Sequence, residues 1–190
     1  RALALLTEKR QQREPIPFTE HKCEPYGAHR ASKLRFRALF RTDSLPDFAK
    51  NCELVYIPYT TEPRRITELL DAGFPVALEL PRGMFGIEDS VRRRIELAKA
   101  AGVSDVWAGN LDSARLAADC GMKVHGGFSL NITNTEALEW DREFGLADTE
   151  LSFELTLAQA SRIGGTLPRG LLLYGRLPLM VCRNCPANNS

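Results

Sequence analysis

The residues that could do chemistry in this chain fall into two groups. Cys182 and Cys185 form a C-x-x-C pair, a spacing that lets two thiolates grip one zinc ion or iron–sulfur cluster, or close as a dithiol. A tetrahedral shell takes four ligands, so this pair is half a metal site. Cys23, Cys52 or residues beyond Ser190 would have to supply the other half. The second group stands at the ends of short apolar runs: Glu79 and Arg82, Asn110, His125, Asn131, Glu154, and Tyr174 with Arg176. Glu79, His125 and Glu154 are the candidate proton carriers; Arg82, Asn110, Asn131, Tyr174 and Arg176 are the candidate substrate-binding residues.

Each of these has a structural alternative. Glu79 lies between Leu78 and Leu80, where a carboxylate must be paired or face an opening, and Arg82 is a ready partner. A single histidine such as His125 is more often structural than catalytic. Asn134 or Thr135 can cap the helix that follows them, and Glu154 can cap the helix that begins near Thr156. Several chemistries find no footing at all. There is no H-E-x-x-H, no G-x-S-x-G and no recognisable Ser-His-Asp signature. No glycine-rich phosphate loop follows the first predicted strand.

The elements that must carry these residues repeat in a regular order. Helical composition without Gly or Pro predicts a helix over 1–14, stopped by Pro15 and Pro17. A connector follows, so 1–33 reads as an arm and 34–190 as the compact domain. Apolar runs predict strands over 34–40, 54–57, 74–80, 103–108, 122–125, 149–153 and 171–173. Helices are predicted between them over 44–48, 61–70, 88–101, 113–120, 135–144 and 157–163, most closed by a glycine. In the helix over 88–101, Val91, Ile95, Leu97 and Ala98 are placed on one side. Parallel strands need helical crossovers of this kind. Seven short units favour an α/β fold of the (β/α) TIM-like barrel type, complete or incomplete, over a doubly wound sheet. In either, ligands bind at the carboxyl ends of the strands, and the candidates above are expected to converge on one mouth holding a polar or anionic ligand.

Composition narrows the partners. With 190 residues the chain holds one substantial core. Lys+Arg 25 against Asp+Glu 24 leaves a net charge of +1, which gives no bulk field for nucleic acid or a membrane surface. The arginines at 64, 65, 92, 93 and 94 are read as solvated helix faces. Five cysteines, an odd number, do not form a disulfide framework, and no apolar run approaches the roughly 20 residues that span a bilayer. The cytoplasm is the expected location.

Three segments together resemble a known family: Tyr174-Gly-Arg-Leu-Pro-Leu-Met-Val-Cys-Arg-Asn-Cys-Pro186, Ser129-Leu-Asn-Ile-Thr-Asn134 and Leu151-Ser-Phe-Glu-Leu-Thr-Leu157. They are similar to the collagenase-like peptidase family U, number thirty-two in the peptidase classification, and within it to the C-terminal repeat of its longer bacterial members. The resemblance implies a (β/α) barrel, a peptide substrate by the family's label, and other domains of a parent chain as partners. Relatives that hydroxylate ribosomal or transfer RNA or a quinone ring hold an iron–sulfur cluster through four cysteines. On that pattern Cys185 matches one ligand, while Pro178 occupies the place of another. The resemblance therefore implies a cluster or zinc in the full-length protein and none in this fragment, which is expected not to cleave protein on its own. The alternative reading is part of an RNA or quinone hydroxylation enzyme, or a non-catalytic barrel that supports a catalytic partner domain.

Overall fold

The computed structural model describes residues 1–11, 17 and 33–178. Cys23, Cys182 and Cys185, and most of the connector, lie outside the described residues. Helix α1 (Ala2–Gln11) begins the chain and buries none of its residues. The body is a single sheet of seven strands: β1 (Arg37–Leu39), β2 (Leu54–Pro58), β3 (Val76–Glu79), β4 (Asp105–Ala108), β5 (Lys123–Gly126), β6 (Asp148–Glu150) and β7 (Arg169–Gly170). All pairings are parallel, and the strand order follows the sequence from β1 to β7.

The sheet curls. Strands five places apart in a flat sheet would be separated by roughly 24 Å at the usual spacing. Yet a side chain at the start of β1 bonds one at the start of β6, Arg37 Nη1 to Asp148 Oδ1, at 2.7 Å. Among the described residues β7 does not pair with β1, so the curl stops short of closure. The molecule is an incomplete (β/α) barrel, as the strand rhythm predicts.

Helices α2 (Pro63–Asp71), α3 (Glu88–Ala100), α4 (Leu111–Asp119) and α5 (Thr135–Phe144), with the short α6 (Leu157–Ala160), fill the crossovers. Residues of one parity on the strands face them. Val55, Ile57, Val76, Leu78, Val106 and Val124 pack with Ile66, Leu69, Val91, Ile95 and Ala98 from the helices into the main core. Helix α3 shows why: acidic Glu88 and Asp89 lie in its first turn and Lys99 in its last, matching the macrodipole. Val91, Ile95 and Ala98 then recur on one buried stripe. Leu97, expected on that stripe, is 42% exposed, because it falls about 200° around the helix from Ile95. No helix among the described residues is long and apolar enough to cross a membrane.

The first, third and fourth strands begin two or three residues later than expected, and the differences that matter for the site lie at the sixth and seventh. The sixth strand runs Asp148–Glu150, beginning one residue before and ending three residues before the predicted 149–153, which makes Glu150 its last residue. The seventh pairs at Arg169–Gly170, whereas the leucines at 171–173 follow it with half-exposed or exposed side chains. An apolar run next to a free edge has no neighbouring strand to bury against. Helix α6 also ends at Ala160, three residues before the predicted stop.

Candidate functional site

Alternation along each strand sends the other parity inward. The inner row includes Arg37 on β1, Tyr56 on β2, Ala77 and Glu79 on β3, Asp105 and Trp107 on β4, His125 on β5, and Asp148 and Glu150 on β6. In the middle, Tyr56, Ala77 and Trp107 form a small apolar cluster with Leu54 and Phe128 against it. Trp107 needs space that two glycines leave. A Cβ at Gly127 would overlap its ring, and one at Gly109 would meet the ring at 3.0 Å. The polar residues sort above and below this cluster.

Toward the amino-terminal ends lies a closed network. His125 is 1% exposed. Its Nε2 is 2.8 Å from Asp105 Oδ1, and its Nδ1 is 2.8 Å from Asp148 Oδ2 and 3.1 Å from Arg37 Nη1. Arg37 donates both terminal nitrogens to Asp148, at 2.7 and 2.8 Å, its Nε to Glu53 at 2.8 Å, and Nη1 to the Tyr56 hydroxyl at 3.2 Å. Burial alone would raise the Asp148 carboxyl, but the bonds from His125 and Arg37 outweigh it and hold it down to about 2. Asp105 is lowered in the same way by bonds from Ser104 and His125 against its burial. The Tyr56 hydroxyl is pushed up by burial.

His125, expected at the mouth, is held by this network. Arg37, Asp105 and Asp148 are the first residues of their strands, and Glu53 precedes β2. The imidazole is therefore tied to residues at the foot of the sheet, with the Tyr56 ring of the apolar cluster 6.3 Å from it. Polar residues at the amino-terminal end of a (β/α) barrel serve stability, whereas its chemistry sits at the carboxyl end.

At the carboxyl end two carboxylates face inward. Glu79 is the last residue of β3, and its side chain is 13% exposed. Arg41, just past β1, reaches it at 3.4 Å. Burial pushes the Glu79 carboxyl up, against the charges of Arg41 and Arg82. Glu150 ends β6. Its Oε2 accepts the Phe128 backbone N–H at 2.9 Å, and the Trp107 side chain donates to it as well. Burial raises this carboxyl too, in spite of those donors. Phe128 packs on Trp107 with ring centres 5.7 Å apart, and Phe153 meets Phe128 edge-on at 5.9 Å. An aromatic path thus runs from the interior to the rim beside Glu150. Carboxyls raised by burial at an opening are suited to giving or taking a proton.

The other sequence candidates divide. Arg82 is at the mouth beside Glu79. Asn110 is close by but occupied: its side-chain oxygen caps α4 at Ser113 N, 2.7 Å, and its amide donates to the Pro81 and Arg82 carbonyls at 3.3 and 2.6 Å. Asn131 takes a left-handed conformation, φ 58°, to end the turn at Phe128–Leu130, and its side chain is exposed. Asn134 caps α5. Glu154 is exposed in the turn after β6; the cap of α6 is Thr156 in a box with Gln159, so Glu154 does not cap it. Tyr174 is 97% exposed and Arg176 is exposed with it. No strand among the described residues delivers these two to the mouth, since β7 ends at Gly170. The site residues missed in sequence are Glu150 and Trp107, with Arg37, Asp105 and Asp148 beneath them. The alternation Asp-Thr-Glu over 148–150 was their signal. Among the described residues no group of three or more His, Cys, Asp or Glu side chains is arranged to hold a metal ion.

No family model and no curated protein matches the chain. A solved structure of Aspergillus fumigatus Ega3 in complex with galactosamine aligns over 76% of this chain and 89% of that chain, at 11% identity and a TM-score of 0.42. That likeness is too weak to carry an argument about function.

Proposed function

We propose that the carboxyl-end mouth of this half-barrel is the substrate-binding site of a collagenase-like peptidase-family protein, with Glu79 as its proton-handling group. The observation that carries the reading is Glu79 itself. It is an inward carboxylate at a strand end, raised by burial, with the guanidinium groups of Arg41 and Arg82 beside it. Arg41 and Arg82 can hold a carbonyl or carboxylate oxygen of a peptide while Glu79 accepts a backbone N–H of the same segment. The family assignment rests on the motif resemblance, and the peptide is the substrate class that it implies.

Hydrolysis itself would need a nucleophile or an activated water. His125 is the one histidine among the described residues, and both its nitrogens are taken by Asp105 and Asp148, so among those residues no serine or cysteine at the mouth has an imidazole base. This favours a barrel that binds substrate for chemistry completed by another part of the parent protein. The test is calorimetric titration with a synthetic collagen-like Gly-Pro-Ala peptide. Wild type should bind, and Glu79→Gln and Arg82→Ala should each weaken binding about tenfold while circular dichroism stays native. Equal affinity in both variants would remove the mouth from the reading.

A further inference from the structure

We propose that Arg37 is a positioning residue for the mouth: by clasping Asp148 at the foot of β6, it fixes where Glu150 stands against Trp107. Glu150 follows Asp148 by two residues, so both project from the same face of one strand. Backbone bonds run along the strand, Ala147 N to Val124 O at 2.9 Å, Thr149 N to Pro168 O at 3.1 Å and Leu151 N to Gly170 O at 3.0 Å, but among the described residues the only side chains that bond Asp148 are His125 and Arg37. Strand β6 is three residues long; it pairs with β5 only through His125↔Asp148 and Gly126↔Thr149, and with the two-residue β7. It lies next to the open side of the sheet, where no closing strand among the described residues holds it.

Arg37 adds a side-chain restraint from the far edge. Its guanidinium bonds Asp148 with two parallel contacts while its remaining donors engage Glu53 and Tyr56 from β2 and its neighbourhood. A planar fork held on three sides has one low-energy placement, which a lysine ammonium cannot reproduce. If β6 moves, Glu150 must give up the Phe128 N–H or the Trp107 indole, because both donors belong to other elements. Arg37 touches neither mouth carboxylate by hydrogen bond; it acts through the strand.

The inference rests on the mouth being the functional end, but its test needs no ligand, so it stands or falls separately from peptide binding. The chain has two tryptophans, Trp107 and the half-exposed Trp140, and their indole N–H resonances are resolved by comparison with Trp140→Phe. In Arg37→Lys, which keeps a positive charge but loses the fork, the Trp107 indole resonance should move upfield as its bond to Glu150 lengthens, while that of Trp140 stays in place. Asp148→Asn, which keeps an acceptor of the same size, should move it in the same direction and carries the test if the lysine variant does not fold. A wild-type Trp107 resonance in either folded variant would overturn the proposal.

Discussion

At the scale of single residues, the informative side chains are those whose ionisation the fold has changed. Asp148 is the clearest. Its carboxyl is held down to about 2 in the folded chain, against 3.8 when free. A carboxyl depressed by folding contributes stability above its unfolded pKa and loses it as pH falls through the folded one. The contribution, about 2 kcal/mol by that linkage, should therefore be present at neutral pH and disappear between about pH 4 and pH 2. Urea unfolding of wild type and Asp148→Asn across that range measures it: the two stabilities should converge at the acid end. A constant difference between them down to pH 2 would place the acid sensitivity elsewhere. These residues also show what a sequence hides. Glu79 was legible because a carboxylate between two leucines must go somewhere. Glu150 was not, because a strand expected to run on to Phe153 puts the residue at its carboxyl end at Glu154 instead.

At the scale of elements, the strand and helix sequence was readable almost throughout, since each unit is short and punctuated. The glycines after α2, α3, α4 and α5, at 73, 102, 121 and 145, all take positive φ, as a helix stop requires. What could not be read was the direction in which an element's end residue is used. Asn110 illustrates this. It stands at a strand end like a ligand-binding residue, yet its side chain caps α4 and staples the Pro81–Arg82 loop. Asn110→Ala should cost about 1–2 kcal/mol, the upper part of the N-cap range, by removing cap and staple together. Thermal unfolding would show it. A loss within a few tenths of a kcal/mol would mean that water replaces both sets of bonds. Leu171–Leu173 failed for a different reason. Apolar residues become a strand only when an edge is there to receive them, and that is a property of the neighbours.

At the scale of the whole molecule, the seven-strand sheet leaves two edges, and exposed apolar side chains gather near both. Leu34 and Phe36 are 72% and 59% exposed beside β1, and Leu173 is 69% exposed after β7. Unpaired edges with such neighbours invite association. The isolated chain should sediment as a concentration-dependent mixture of species, and Phe36→Lys with Leu172→Lys should shift it toward the monomer. A single monomeric species at high concentration for wild type would show that the edges are protected.

The order of the strands also bears on how the chain acquires its shape in time. Every ladder joins neighbours in sequence, so each unit can dock on its predecessor as soon as it leaves the ribosome, and closing entropy is met in small steps. The exception is the Arg37–Asp148 bond, which spans 111 positions. It cannot form until six strands are in place, which makes it a late event on the folding path. Late contacts govern how fast a protein comes apart more than how fast it assembles. The same side chain that holds β6 in register would then also set the lifetime of the folded chain.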